Sequence, residues 1–200
     1  MGPIQNIVDD YFGISGGLPL KTAATDGDGG AISLGEAFRQ TIDDIQALNA
    51  TGNTLRFIGN GGSAGIASHM AVDFSKRGEI RANAFNDAAM LTCLGNDLGY
   101  SEVFAHQVSL HTREGDVLVA ISSSGQSENI LRAVEEAREK GARITTFSGF
   151  KPDNPLRGSG DLNYHVGSNE YGFVELTHMA LLSALIDIMI GWHSDSPLGR

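Results

Sequence analysis

Two short runs of glycine and serine are the residues in this 200-residue chain whose types and spacing most plainly suggest chemistry. The first is Gly59-Asn60-Gly61-Gly62-Ser63 and the second is Ser122-Ser123-Ser124-Gly125-Gln126-Ser127. Each follows an apolar run, Thr54 to Ile58 and Asp116 to Ile121 respectively, and each opens a stretch of helical character. A phosphate dianion needs several short donors converging on one point. A helix N-terminus offers free N–H groups and the positive end of a dipole, glycine lets the backbone approach, and serine adds hydroxyl donors without bulk. Taken singly, the first run reads as a turn and the second as a helix cap. Their shared strand-loop-helix setting predicts a divided cradle for a phosphorylated ligand. No Gly-Lys-Ser/Thr follows either run and the dinucleotide Gly-x-Gly-x-x-Gly spacing is absent, so neither is a nucleotide loop of those kinds.

Apolar periodicity supplies the elements that must position these loops. Strands are expected near 54–59, 82–86, 116–122, 143–148 and 162–167, and helices near 63–76, 101–112, 127–140 and 171–192. That alternation predicts an α/β fold with a parallel, doubly wound sheet, which binds ligands beyond the carboxyl ends of its strands. Both loops fall at that edge. Upstream, Leu34 to Ala50 reads as an amphipathic helix with Leu34, Ala37, Phe38, Ile42, Ile45 and Leu48 on one stripe. Residues 14–33 read as a glycine-rich loop. Within it, Thr25-Asp26-Gly27-Asp28-Gly29-Gly30 lacks the glutamate that would close a calcium loop, so calcium is not expected.

Composition narrows the class. With 41% hydrophobic residues the chain can bury one substantial core, so one domain is expected. Fourteen basic against 24 acidic side chains give a net charge of −10, which argues against a nucleic-acid partner. The single cysteine, Cys93, excludes a disulfide framework. No signal peptide or bilayer-spanning apolar stretch is expected, which points to the cytoplasm and away from a membrane. Gly2 lacks the Ser or Thr at position 6 that myristoylation would want.

These motifs, taken with His69, Gly95-Asn96-Asp97, Phe104 and Gly115-Asp116-Val117-Leu118, resemble the sugar isomerase (SIS) superfamily. Within it the chain is most similar to the phosphoheptose isomerases, which interconvert sedoheptulose 7-phosphate and glycero-manno-heptose 7-phosphate. The resemblance runs from about Leu34 to Gly191. It implies a three-layer αβα sandwich around a five-stranded parallel sheet, preceded by an N-terminal helical segment, with residues 1–33 as an extension and 34–200 as the SIS domain. It assigns phosphate contacts to Ser63, Ser122, Ser123, Ser124 and Ser127, sugar contacts to Asn60 and Asp97, and a place near the ligand to Gly61, Gly62, Arg77, Asn96 and Glu175.

The catalytic positions depart from the family pattern. Aldose–ketose isomerisation moves a proton between C1 and C2 through an enediolate, and so needs a base beside the carbon and an acid or polariser beside the oxygen. Where the family has a glutamate and a histidine, this chain has Asp73 and Ser183. Asp73 keeps the carboxylate one methylene shorter, whereas Ser183 can donate a hydrogen bond but is no general acid at neutral pH. His178 is the replacement acid considered, although it lies about 140° around the helix from Ser183. Some family members hold zinc with residues at the positions of His69, Asp73, Glu175 and Ser183, so His69, Asp73 and Glu175 form the metal set the resemblance implies. Two functional readings follow: a sugar-phosphate isomerase, and a non-catalytic SIS module that binds a sugar phosphate or a protein. The long apolar run in Phe173 to Trp192 must be covered on all sides, and the resemblance implies a homotetramer.

Overall fold

A computed structural model describes residues 2–195. Helix α1 (Pro3–Gly17) and a 3-10 turn lead to strands β1 (Ala23–Asp26) and β2 (Ala31–Ile32) and to helix α2 (Leu34–Thr51). Then come β3 (Leu55–Gly59), α3 (Gly62–Lys76), β4 (Ala82–Ala84), α4 (Ala88–Asp97), α5 (Ala105–His111), β5 (Val117–Ser122), α6 (Glu128–Glu139), β6 (Arg143–Gly149), β7 (Leu162–Val166) and α7 (Tyr171–Met189). The strands form one sheet in the order β2-β1-β7-β6-β5-β3-β4. The five strands from β3 to β7 are mutually parallel, as expected.

Strands β3 and β5 are buried along their whole length, and alternate side chains feed two separate cores. Phe57, Val117, Val119 and Ile121 face α2, α3 and α7, where they meet Ile45, Phe74, Leu182 and Leu185. Ile58, Leu118 and Ala120 face the opposite layer and meet Val108, Ile130 and Val134. This period-two division makes three layers from one sheet. Helix α2 begins at an N-cap in which the Ser33 side chain accepts from Glu36 N, and ends at Gly52 in a left-handed conformation (φ 69°).

Three expectations from sequence are corrected. Residues 14–33 are not a loop: they contain the end of α1, a 3-10 turn and a β1–β2 hairpin, and β1 pairs antiparallel with β7, extending the sheet from five strands to seven. Helix α4 lies where none was expected, capped by Asp87 accepting from Met90 N, while the helix expected over 101–112 is a 3-10 turn (Tyr100–Glu102) followed by the short α5. Finally, α7 is long and apolar enough to cross a membrane by length and composition. Its Val174, Leu181, Leu182, Leu185 and Ile186 are instead packed inside the protein.

Candidate active site

Strands β3 and β5 are neighbours in register, with Gly59 opposite Ile121, so the two loops leave the sheet side by side. The first turns sharply at Gly61 (φ 54°, ψ −121°), a conformation open to glycine, and enters α3 with Ser63 buried. The second runs from Ser122 to Ser127, the residue that starts α6. Between them lies a cleft of about 120 Å³ lined by Asn60, Ser63, Ser122, Ser123, Ser124, Ser127, Tyr171 and Glu175. The N-termini of α3 and α6 open toward it, as an anion site requires.

The serine hydroxyls are not equivalent. Ser122 Oγ lies 3.3 Å from Ser127 Oγ and accepts from Gly125 N at 3.2 Å, and Ser124 Oγ accepts from Gln126 N at 3.3 Å. These bonds shape the loop itself. Ser123 is 5% exposed, and its Oγ finds no partner among the described residues. A buried hydroxyl without a partner needs an acceptor, and Ser123 belongs to the residues that line the cleft.

Two residues that sequence reasoning missed complete the arrangement. Asn60 and buried Asn129 exchange hydrogen bonds through their carboxamides at 2.9 and 3.0 Å, tying the first loop to the first turn of α6. Tyr100 Oη donates to Asn60 Oδ1 at 2.9 Å. With Oδ1 accepting twice and Nδ2 donating once, Asn60 keeps one N–H for a ligand. Asn129, a polar residue in the first turn after the serine run, carried a signal that could have been read. Tyr100 carried none. Tyr171, also unpredicted, lines the cleft and stands edge-on to Phe150, with ring centroids 4.8 Å apart.

Helices α3 and α7 run side by side in the same direction. A β-carbon at Gly62 would collide with the Glu175 carboxylate, and at the other end Arg77 pairs with Asp187. Asp73 lies ten residues beyond Ser63 on α3, about 15 Å along the axis at 1.5 Å per residue. Its carboxylate is 3.6 Å from His69 Nε2 and 3.5 Å from Arg77, and its side chain is 20% exposed. Ser183 is half-buried two turns beyond Glu175 on α7. One carboxylate therefore sits in the serine cleft, while a second, flanked by His69 and Arg77, sits along α3.

The remaining candidates fall elsewhere. Arg77, expected beside the ligand, has its guanidinium on Asp73 and Asp187. Asn96 and Asp97 end α4; both are exposed, Asn96 Nδ2 donates to Asp97 Oδ1 at 2.7 Å, and neither lines the cleft. His178 is fully buried, with Nε2 3.1 Å from Ser148 O and its ring edge-on to Phe147, and burial lowers its pKa to about 4. A histidine held neutral in the core is no general acid for the cleft, and that expectation is withdrawn. The metal set is not assembled either. Among the described residues no three His, Cys, Asp or Glu side chains are gathered to hold an ion. His69 and Asp73 pair with each other and Arg77 occupies Asp73, while Glu175 stands at the far end beside Gly62. Within one chain, among the described residues, His69, Asp73 and Glu175 are not brought to one point.

A doubly wound sheet with a serine cleft between two helix N-termini is the arrangement of a SIS domain, and the chain belongs to that family: the family model described as SIS domain matches residues 33–149. Its relatives narrow the class further. A phosphoheptose isomerase from Geobacter sp. (strain M21) is 32% identical over 162 residues, spanning 78% of this chain and 84% of that protein. Among solved structures, a phosphoheptose isomerase from Francisella tularensis superposes with a TM-score of 0.79 at 27% identity, covering 96% of this chain and all of that one. A phosphoheptose isomerase from Neisseria gonorrhoeae gives a TM-score of 0.78 at 28% identity, covering 93% and 98% of the two chains.

Proposed function

We propose that the protein is an aldose–ketose isomerase of sugar phosphates, interconverting sedoheptulose 7-phosphate and glycero-manno-heptose 7-phosphate. The observation that carries this reading is the cleft itself, where Ser123 offers an unpartnered buried hydroxyl among four further serines at two helix N-termini. The phosphate binds there and anchors the far end of the sugar. Asp73 takes the proton from one carbon of the C1–C2 pair and returns it to the other, with Arg77 and His69 fixing the direction of its carboxylate. Ser183 donates a hydrogen bond to the oxygen on which negative charge develops.

The length of α3 between Ser63 and Asp73 suits a long sugar, because phosphate and reacting carbons must be held apart at the two ends of the ligand. The working unit is a homotetramer in the cytoplasm. An apolar groove lined by Leu20, Leu34, Phe38, Ile42, Ala184 and Ile188 along α2 and α7 supports assembly. The second reading, a sugar-phosphate binding module, is favoured by one observation, the absence of a titrating acid at Ser183 and His178. Purified protein incubated with sedoheptulose 7-phosphate in deuterated solvent separates them. The isomerase incorporates deuterium at C1 or C2, and Asp73→Asn slows that exchange by roughly a hundredfold or more. Binding without exchange identifies the module.

A further inference from the structure

We propose that the Tyr171 hydroxyl is a further donor to the ligand's phosphate and that Phe150 is the positioning residue that holds it there, a step that rests on the sugar-phosphate reading above. Tyr171 opens α7 and lines the serine cleft, and Glu175, one turn later on the same helix, lines it too. That face of α7 therefore looks onto the cleft. Phe150 stands immediately after β6 and adopts φ 57°. A left-handed backbone is strained for a bulky side chain. Such outliers persist only where the surroundings over-determine them, and they cluster where a site must be held in shape. Here the surroundings are visible on both sides of the outlier. Gly149 N donates to Ser123 O at 3.0 Å, and Phe150 N donates to Ser168 O at 2.9 Å. A β-carbon at Gly149 would lie 2.7 Å from Val174 Cγ1 and 3.2 Å from Ser123 O, so the strand end, the serine loop and the first turn of α7 meet with no room to spare. The Phe150 ring completes the corner edge-on to Tyr171, with centroids 4.8 Å apart and planes at 80°.

A phosphate monoester presents three strong acceptor oxygens, and a phenol O–H donates to a charged oxygen more strongly than an aliphatic hydroxyl does. The phenol also sits on a long, stiff arm whose place is set by two side-chain torsions. Left alone, a tyrosine in the first turn of a helix samples more than one rotamer. The edge of Phe150 against its ring, worth a factor of about 2 to 10 in population, selects one of them before the ligand arrives. The same corner fixes Ser123 through Gly149 N. One strained residue thus sets two donors relative to each other, Ser123 from the loop and Tyr171 from the helix.

Calorimetric titration of the full chain with sedoheptulose 7-phosphate tests both residues. Tyr171→Phe removes one oxygen and keeps the ring, and the expected affinity falls roughly 10- to 150-fold, the range for a hydrogen bond to a charged group. Phe150→Asn, a side chain that tolerates a left-handed backbone, lowers affinity about 2- to 10-fold. Phe150→Tyr restores an aromatic edge and binds as the wild type does. The double variant separates positioning from a merely structural role: with Phe150 acting through the Tyr171 hydroxyl, Phe150→Asn has no further effect on affinity in the Tyr171→Phe background. Thermal unfolding checks that each variant is folded, and the Tyr171→Phe result stands by itself if position 150 tolerates no change. Wild-type affinity in Tyr171→Phe overturns the donor while leaving phosphate binding in the cleft intact. An equal loss from Phe150→Asn with and without the Tyr171 hydroxyl overturns the positioning role. Failure of the wild type to bind overturns the sugar-phosphate reading, and this inference with it.

Discussion

Ser123→Ala should act with opposite signs on folding and on binding. In the free protein the Ser123 hydroxyl is buried and finds no partner among the described residues. An unsatisfied buried polar group costs about 1–3 kcal/mol of stability. Removing it should leave the fold as stable as before or more so, with a gain of about 1 kcal/mol appearing as a rise of about 2–4 °C in Tm for a chain of this size. The bond that holds the loop at this point, Gly149 N donating to Ser123 O at 3.0 Å, is backbone and survives the substitution. Once phosphate is bound, the same hydroxyl donates to a charged acceptor, an interaction worth about 1.5–3 kcal/mol. Its loss should weaken sugar-phosphate affinity roughly 10- to 150-fold. Thermal unfolding of the free protein and calorimetric titration at a single pH measure the two effects. Ser122→Ala is the contrast: its Oγ accepts from Gly125 N and faces Ser127 Oγ, so both stability and affinity should fall. A Ser123→Ala protein that melts several degrees lower, or binds as the wild type does, would refute the reasoning.

Two further outcomes concern the scaffold. His178 has a folded pKa near 4, below the unfolded value of about 6.5, so the unfolded chain takes up its proton first as pH falls. The contribution is complete above about pH 6.5 and is lost toward pH 4, amounting to about 3 kcal/mol; His178→Gln, which keeps a donor for the Ser148 carbonyl, should flatten that limb in urea titrations at pH 7, 5.5 and 4.5, and an unchanged slope would clear His178 of the effect. Tyr164 Oη and Thr41 Oγ1 share a buried hydrogen bond of 2.8 Å, so Tyr164→Phe should cost about 1–3 kcal/mol by orphaning the threonine. Adding Thr41→Val should recover most of that loss, and a double variant no better than the single would show that packing, not the bond, is responsible.

The parallel strands and both serine loops were legible because the information is local. Val117 to Ile121 is an unbroken apolar run followed by residues suited to a turn and a cap, and nothing distant is needed to read it. The segment Ala23–Asp26 was not legible, since Ala-Ala-Thr-Asp has no apolar alternation and becomes a strand by pairing with β7, some 140 residues away. Helix α4 was missed because Thr92, Cys93 and Gly95 dilute its helical character, leaving its order to the Asp87 cap and to Leu94 in the core. Helical spacing placed His178 at an angle to Ser183 but says nothing of depth, and depth removes it from the chemistry. Arg77 reads as an exposed cation one turn after Asp73; its second partner, Asp187, lies 110 residues on and belongs to the packing of α3 on α7.

The amide clasp between Asn60 and Asn129 joins residues 69 positions apart. Its consequence is thermodynamic timing. Conformational freedom of the two loops is surrendered while the sheet forms, so a ligand meets a receptor already in its bound shape and the intrinsic strength of its hydrogen bonds appears largely undiminished in the affinity. Without the clasp the same loops would be ordered at each encounter, and every turnover would carry that cost again.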